Sequence, residues 1–341
     1  YLYPHAYRDH WVAQQYLPDV LQGRIFYQPS EQGYEASIQE TVSRNREAQL
    51  ATFFSQTASE QSGSLNYWEA RTLGSSGELL NEFRDRLTEW CELSRNSLAL
   101  VLNAGEGLLL GEFIRRISEE NVYALVESSE EKIILETLFK KTNSRIEAKI
   151  AVDSSGCPES FEIGDLRFER IVGRNVLQKH ADKTGFLETL KPWISADGFF
   201  VFGETVPSLG QRLSNLIPEE LLEPDFRKKL KAAEKEIYLD EENVRSSWTP
   251  STLRDELNGA NWNIIRWQVK EYSIPTMIRT EQIEQWFPSH QDSPHSSYGQ
   301  RLSAYFSPKQ LNNLRETFRN EVAGIVVEWH SVSLFMQLKP K

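Results

Sequence analysis

The sequence predicts an α/β fold built on a doubly wound, mostly parallel sheet with an antiparallel final strand, and three observations carry that reading. Short apolar runs alternate with amphipathic helical stretches from Leu98 to Phe202, the pattern of buried parallel strands joined by helical crossovers. The first run, Leu98-Ala99-Leu100-Val101-Leu102, ends in Asn103-Ala104-Gly105-Glu106-Gly107, a glycine-bearing turn that opens a helix. Such turns let a nucleotide-like ligand approach the backbone without a Cβ in the way. The second run ends on an acidic residue, Glu127, about 20 residues beyond the turn, the separation at which a doubly wound fold offers a carboxylate to ribose hydroxyls.

In chain order, residues 1–50 interleave aromatics with Pro4, Pro18 and Pro29, and only Tyr34 to Gln49 has helical character. This irregular, partly helical appendage needs another surface to bury its rings. Residues 51–77 turn to Ser, Thr, Gln and Gly around Tyr67 and Trp68, and read as a linker. From residue 78 to 341 a single sheet domain is expected. Its first helix, Glu78 to Leu93, sets Leu79, Leu80, Phe83, Leu87 and Trp90 at helical spacing and is plain core beside the first strand.

After the glycine turn a helix completes through Glu112 to Ser118, and Val122 to Val126 forms the second strand. A helix over Glu130 to Lys141 leads to a third strand, Arg145 to Val152, ending at Asp153. Phe168 to Val172 is the fourth, followed by Gly173-Arg174-Asn175; Phe186 to Trp193 is helical, Asp197-Gly198 a turn, and Phe199 to Phe202 the fifth strand, with Glu204 beyond it. Insertions are expected at about 218–248, charged and helical over Pro218 to Glu242, and at about 275–320, with a Ser-, His- and Pro-rich loop over Gln285 to Gly299 and a helix over Pro308 to Asn320. The first of these either covers the substrate crevice or braces the domain from solvent. Thr249 caps a helix to Asn258 with Pro250 in its first turn, while Trp262 to Tyr272 and Gly324 to Leu338 alternate as two late strands, an antiparallel pair finishing the sheet.

With 38 basic and 49 acidic residues the formal charge is -11, which argues against a surface-wide nucleic-acid platform and leaves DNA only an indirect partner. Cys91 and Cys157 are too few for a disulfide framework or a cysteine-based zinc site, and point to a reducing, cytoplasmic setting. His290, His295 and His330 have no close carboxylate pattern, so no metal site is expected. The longest apolar runs are too short to span a bilayer. The chain opens at Tyr1 inside an aromatic segment, which suggests the C-terminal piece of a longer protein.

The wording of the first 50 residues, Tyr3-Pro4-His5, His10-Trp11-Val12-Ala13-Gln14-Gln15-Tyr16-Leu17-Pro18 and Phe26-Tyr27-Gln28-Pro29-Ser30, resembles the C-terminal tail of the RarA family of replication-associated recombination AAA+ ATPases. The resemblance implies that an ATPase and most of its oligomerisation domain lie upstream, as a partner region through which the protein forms homo-oligomers. This chain has no Gly-x-x-x-x-Gly-Lys-Ser/Thr loop, so no ATP hydrolysis is expected of it.

The glycine turn alone does not separate a nicotinamide enzyme from a methyltransferase. Leu108, Leu109 and Leu110 after Gly107 leave no third glycine for a pyrophosphate, and the order of strands resembles class I S-adenosylmethionine-dependent methyltransferases of Rossmann-like fold. That resemblance implies S-adenosylmethionine as cofactor and an unidentified methyl acceptor. It implies that Asn103, Gly105 and Gly107 lie under the methionine part, that Glu127 binds the ribose and Asp153 the adenine amino group, and that Gly173, Arg174 and Asn175 wall the methyl-donating side. Asn103 departs from the Asp or Glu of many members, and Leu109 from a frequent small residue. Asn/Asp-Pro-Pro-Tyr is absent after strand four, and Cys157-Pro158 follows strand three, away from a nucleophile's place. For a base, the sequence offers only His180 and Glu204. The rival expectation is a methyltransferase-like fold kept as an interaction or assembly module for the ATPase.

Overall fold

The computed structural model describes residues 26–30, 32–61, 77–142, 149–153, 166–238, 244, 246–288 and 297–341. The irregular segment before Phe26, Tyr67 and Trp68, the start of the third strand at Arg145, Cys157, and His290 with His295 lie outside the described residues.

Seven strands among the described residues form one sheet: β1 (Ala99–Leu102), β2 (Val122–Val126), β3 (Lys149–Val152), β4 (Phe168–Arg174), β5 (Ile194–Thr205), β6 (Trp262–Met277) and β7 (Val326–Pro340). Their order is β3-β2-β1-β4-β5-β7-β6. β1 to β5 pair in parallel, and β7 lies antiparallel between β5 and β6. This is the doubly wound, class I methyltransferase-type sheet that the sequence predicts, with its antiparallel final strand. The helical crossovers are α3 (Leu108–Arg116), α4 (Ser129–Thr142) and α5 (Lys183–Leu190), while α1 (Gly33–Gln61) and α2 (Gly77–Trp90) precede the sheet.

Alternation along the strands divides the core. Leu100, Leu102, Phe168, Ile171, Phe200 and Phe202 join a cluster on one face, and Ala99, Val101, Val172 and Val201 join Phe83, Leu87 and Phe113 on the other. Both sets are fully or almost fully buried, as expected of strands covered on two faces.

Two elements differ from expectation. β5 runs through Asp197-Gly198, where a turn was expected, because the chain absorbs its excess length as a bulge: Phe168 opposes Ile194 while Arg170 opposes Phe199. A Cβ on Gly198 would lie 2.9 Å from the carbonyl oxygens of Phe168 and Glu169, so a side chain would break this pairing. The other is α1, which continues to Gln61 through the first part of the expected linker. Ala51 is buried against Leu80 of α2 and Leu108 of α3, and docking supplies what the helix's weak amphipathicity does not.

The late elements form a second layer of structure at one end of the sheet. β7 pairs β5 only from Ser333 to Leu338, whereas it pairs β6 along nearly its whole length. The remainder of the β6–β7 ribbon therefore projects beyond the carboxyl end of β5. Around it pack α6 (Pro224–Tyr238), α8 (Thr280–Trp286), α9 (Tyr298–Leu302) and α10 (Pro308–Glu321). Leu213, Leu230, Tyr238, Ile278, Trp286, Tyr298, Phe318 and Trp329 make one apolar cluster, so the two expected insertions are halves of one cap. Within the expected loop from Gln285, residues 285–286 end α8 and Tyr298 starts α9, capped by Ser297. α7 (Pro250–Gly259) starts on Thr249 as expected.

Away from the cap cluster, α1, α2 and α3 meet on one carboxylate. Glu112 of α3, about 1% exposed, pairs with Arg115 and Arg116 at 2.8 Å and with Arg44 of α1 at 3.1 Å, with Arg84 of α2 at 4.0 Å. Burial alone would raise the Glu112 carboxyl; the Arg115, Arg44 and Arg116 guanidiniums outweigh it and hold it down at about 2. Because the folded value is depressed, this group's contribution to stability is full above the unfolded carboxyl range and is lost as pH falls from about 4.5 toward about 2. Glu112→Ala removes the carboxylate that Arg44, Arg115 and Arg116 share, while Arg44 keeps Glu40, Arg84 keeps Asp85 and Arg115 keeps Glu47, and should cost roughly 1.5–3 kcal/mol of unfolding free energy in urea titrations at neutral pH. The variant should also show a flatter stability profile than the parent over that acid window.

Candidate functional site

The strand order reverses at β1, whose neighbours β2 and β4 lead away in opposite directions, and ligands of doubly wound sheets lie outside the carboxyl ends at such a point. The chain leaves β1 through Asn103, in the left-handed region at φ 52, makes one 3-10 turn over Ala104–Glu106, and enters α3 through Gly107 at φ 73. The Gly107 N–H closes the turn on the Ala104 carbonyl at 2.8 Å. Glycine suits that φ because a Cβ would be strained there. Gly105 has a different reason: a Cβ on it would lie 2.5 Å from Oε2 of Glu131.

Glu131 belongs to the first turn of α4 and accepts the Glu127 N–H at 2.8 Å. Burial raises its carboxyl, against the pull of that N–H. Glu127 follows β2, is partly exposed, and pairs with Lys179. Lys179 also donates to Oδ1 of Asn103 at 2.8 Å, and Nδ2 of Asn103 donates to the Arg174 carbonyl at 2.9 Å. The expected residues Asn103, Gly105, Gly107 and Glu127 are thus brought together, through Lys179 and Glu131. Asp153 follows β3, and its N–H donates to the Val126 carbonyl at 2.8 Å, which sets it beside the same strand end.

The three residues after β4's core part ways. A Cβ on Gly173 would come 2.4 Å from Val176 and 3.3 Å from Leu102, so the glycine permits close packing of β4 on β1. Arg174 is buried, pairs with Glu106 of the glycine turn, and lies 5.2 Å from the Phe83 ring centre. Asn175, at φ 54, ties β4 to β5: its N–H donates to Gly203 and its Oδ1 accepts from Thr205, each at 2.8 Å.

The two base candidates sit apart from this set. His180 stacks on Phe186 with ring centres 3.7 Å apart; burial, then Lys179 and Lys183, lower its basicity. Glu204 is fully buried and accepts the N–H groups of Val176 and Leu177 at 2.9 Å and of Gln178 at 3.2 Å. It acts as the acceptor for the start of the 3-10 turn Leu177–Lys179, the turn that carries Lys179 to Glu127. Burial, outweighing those amides, raises its carboxyl to about 7.

Sequence reading missed Lys179, Glu131 and Glu106. For Glu131 a signal was present: Ser128-x-x-Glu131 is the spacing of a helix-start capping pair, and the Glu131 N–H does take Oγ of Ser128 at 3.1 Å. Lys179 carries no local signal, since its partners are 52 and 76 residues away.

Residues 1–46 match the family model of the MgsA AAA+ ATPase C terminal, in agreement with the resemblance of that segment to an AAA+ tail. The match covers a small part of the chain. No curated protein matches the sequence. Among solved structures, a proposed methyltransferase from Bacillus halodurans is similar at 14% identity and TM-score 0.46, covering 76% of this chain and 100% of its own. A SAM-dependent methyltransferase from Geobacter sulfurreducens, in complex with S-adenosyl-L-homocysteine, is similar at 12% identity and TM-score 0.41, covering 85% and 98%. A third, from Thiobacillus denitrificans, also with S-adenosyl-L-homocysteine, has 10% identity and TM-score 0.40, covering 76% and 91%. Values this low carry no argument about function; the fold rests on the strand order and directions themselves.

Because the folded Glu204 carboxyl titrates above its unfolded value, its contribution to stability is full below about 4.5 and is lost as pH rises through about 7. Glu204→Gln should therefore remove a decline in urea-measured stability between pH 5 and about 8 that the parent chain shows.

Proposed function

We propose that this chain is the S-adenosylmethionine-binding methyltransferase domain of a protein whose AAA+ ATPase region precedes it. The observation that carries the reading is the placement of the glycine turn at the end of β1 and Glu127 at the end of adjacent β2, on the switch point of a β3-β2-β1-β4-β5-β7-β6 sheet.

The residues present fit such a cofactor. Glu127 is exposed enough to exchange Lys179 for the two ribose hydroxyls, and Asp153 stands at the next strand end for the adenine amino group. Asn103, Gly105 and Gly107 form the floor beside the methionine part, and the positive φ angles of Asn103 and Gly107 turn the backbone outward there. Gly173 and Arg174 close the side toward β4, with Asn175 holding the β4–β5 joint. When bound, the cofactor would supply an electrophilic methyl carbon to an acceptor lone pair, the carbon–sulfur bonding pair staying with sulfur, and His180 would take any proton that the acceptor loses. The chain's own part is to orient the acceptor and exclude water. With Glu204 held by three amides, His180 is the better placed of the two base candidates. In this reading the AAA+ region links the activity to DNA replication or recombination, DNA contact is made through that region, oligomers form through it, and the protein works in the cytoplasm.

A second reading, an interaction module that no longer takes the cofactor, is favoured by one observation. Lys179 spans Asn103 and Glu127, and Glu131 fills the space above Gly105, so the chain's own side chains satisfy the turn. Calorimetry with S-adenosylhomocysteine separates the two: binding is expected, and its absence with the fold intact by circular dichroism selects the module. Glu127→Ala should weaken binding by roughly 1.5–3 kcal/mol, about 10- to 150-fold, through loss of charge-assisted hydrogen bonds to the ribose. An unchanged affinity removes Glu127 from the site.

A further inference from the structure

Lys179 and His180 stand on, or directly after, one 3-10 turn, and that turn is fixed by a carboxylate from the neighbouring strand. Glu204, near the end of β5, is fully buried. Its Oε1 accepts the N–H groups of Val176 and Leu177, each at 2.9 Å, and its Oε2 accepts the Gln178 N–H at 3.2 Å. The two oxygens have different duties. Val176 and Leu177 are also held by the apolar cluster on this face of the sheet, whereas Gln178 leads straight to Lys179.

Lys179 uses that placement to close the crevice. Its Nζ donates to Oδ1 of Asn103 at 2.8 Å and pairs with Glu127, so it occupies at once the entrance of the glycine turn and the carboxylate beyond β2. The Lys179 side chain is 25% exposed and that of Glu127 40%. An ion pair so open to solvent contributes little by itself and persists where the backbone beneath it is fixed. Besides the turn's own bond from the Lys179 N–H to the Val176 carbonyl, at 3.2 Å, that backbone is held by the Gln178 N–H on Oε2 of Glu204.

The surroundings of Glu204 make its charge easy to lose. On its face of the sheet β5 and β7 present Phe202, Val332, Leu334 and Met336, all apolar, with Leu334 directly opposite. From α5 comes Lys183, whose Nζ bonds the carbonyls of His180 at 3.1 Å and Val244 at 3.3 Å, and whose charge is itself answered by Glu256 and Asp182. Burial outweighs the three amides and Lys183, and the carboxyl titrates at about 7, neutral below that value and ionised above it. A neutral carboxyl keeps one good acceptor oxygen and turns the other into a donor. With Oε1 committed to two amides, the proton goes to Oε2, where donor then meets donor at the Gln178 N–H. The other charged or titrating groups about Lys179 are Glu127, Glu131 and His180.

We propose that Glu204 is a positioning residue of the crevice: ionised, it keeps Lys179 on Glu127 and Asn103, and a proton taken from solvent onto its Oε2 releases Lys179 and frees both residues for a ligand. The crevice is shut at higher pH and opened at lower pH by a group that touches no ligand. That the ligand is S-adenosylmethionine rests on the methyltransferase reading; the release of Lys179 does not.

The first test needs no ligand. Competitive acetylation of the full chain with acetic anhydride, read by peptide mass spectrometry, gives the reactivity of Lys179 relative to the exposed Lys309. The neutral fraction of Glu204 falls about tenfold between pH 6 and pH 8, so in the parent the ratio should fall roughly five- to tenfold over that range. In Glu204→Gln, whose amide sets a donor before Gln178 at every pH, the ratio should stay at the higher value. Glu127, Glu131 and His180 are untouched in that variant, so a ratio that still follows pH assigns the effect to them and overturns the proposal, as does a parent ratio that does not change. The second test is calorimetry with S-adenosylhomocysteine. The parent should bind roughly five- to tenfold more tightly at pH 6 than at pH 8, and Lys179→Ala should hold the tighter value at both. A Lys179→Ala chain that keeps the parent's pH dependence overturns the proposal even where Glu204→Gln fails to fold. Absence of binding by every chain, with the acetylation pattern as expected, upholds Glu204 and sinks the methyltransferase reading; binding that is indifferent to pH does the reverse.

Discussion

The exit from β1 is the constraint on which the rest of this structure turns. The central strand is paired on both sides and buried on both faces, so its chain can leave only at the carboxyl end, between crossovers that run opposite ways. It does so with two left-handed residues, Asn103 and Gly107, in five positions. That tight exit starts α3 at once beside the sheet, which in turn puts Glu112 within reach of α1 and α2 and leaves the backbone of the turn facing the crevice.

The same exit explains why the crevice is so thoroughly cross-linked. A turn with two left-handed residues has few hydrogen bonds of its own, and side chains at or after the ends of two strands, β2 and β4, pack and bond around it. Lys179 answers Asn103, Arg174 answers Glu106, and Glu131 fits against Gly105 while taking the Glu127 N–H. Glu204 holds the 3-10 turn that delivers Lys179. Of the two ion pairs, Lys179–Glu127 is the more open to solvent and Arg174–Glu106 the more buried, and Glu204 is fully buried. The Lys179–Glu127 pair is therefore the contact of this crevice that costs least to break.

The fold was legible because its signals are local. β2 was read to the residue, α7 announced itself by Thr249 and Pro250, and the carboxylate closing β2 was placed by spacing alone. Bulges and ribbons were not legible in that way. Gly198 reads as a turn glycine until β4 is set beside it, and β6 passes its expected end at Tyr272 to reach Met277 because β7 pairs with it, despite Pro275 within it. The site divided along the same line. Asn103, Gly105, Gly107 and Glu127 follow from motif spacing, whereas Lys179 depends on partners far away in sequence, and the roles of Gly173, Asn175 and Glu204 in packing β4 against its neighbours exist only once the sheet is assembled.

The meeting of the AAA+-like tail and the sheet is a continuous helix. The match to the AAA+ C-terminal family ends at residue 46, inside α1. Arg44, within the matched segment, bonds Glu112, while Glu47, just beyond it, takes Arg115 at 2.7 Å and lies against Gly111 so closely that a Cβ there would meet its carboxylate at 2.3 Å. Burial raises the Glu47 carboxyl while the Arg115 guanidinium opposes it, so this contact also depends on its geometry to remain charged. Glu112, Arg115 and Gly111, the residues that meet α1 here, all lie on α3, which starts directly after the glycine turn. A helix has no soft joint between residues of one segment, so a displacement of Arg44 that keeps α1 intact must either carry α3 with it or break the buried pairs. The segment that matches the AAA+ C-terminal family and the turn that faces the crevice are therefore mechanically one element.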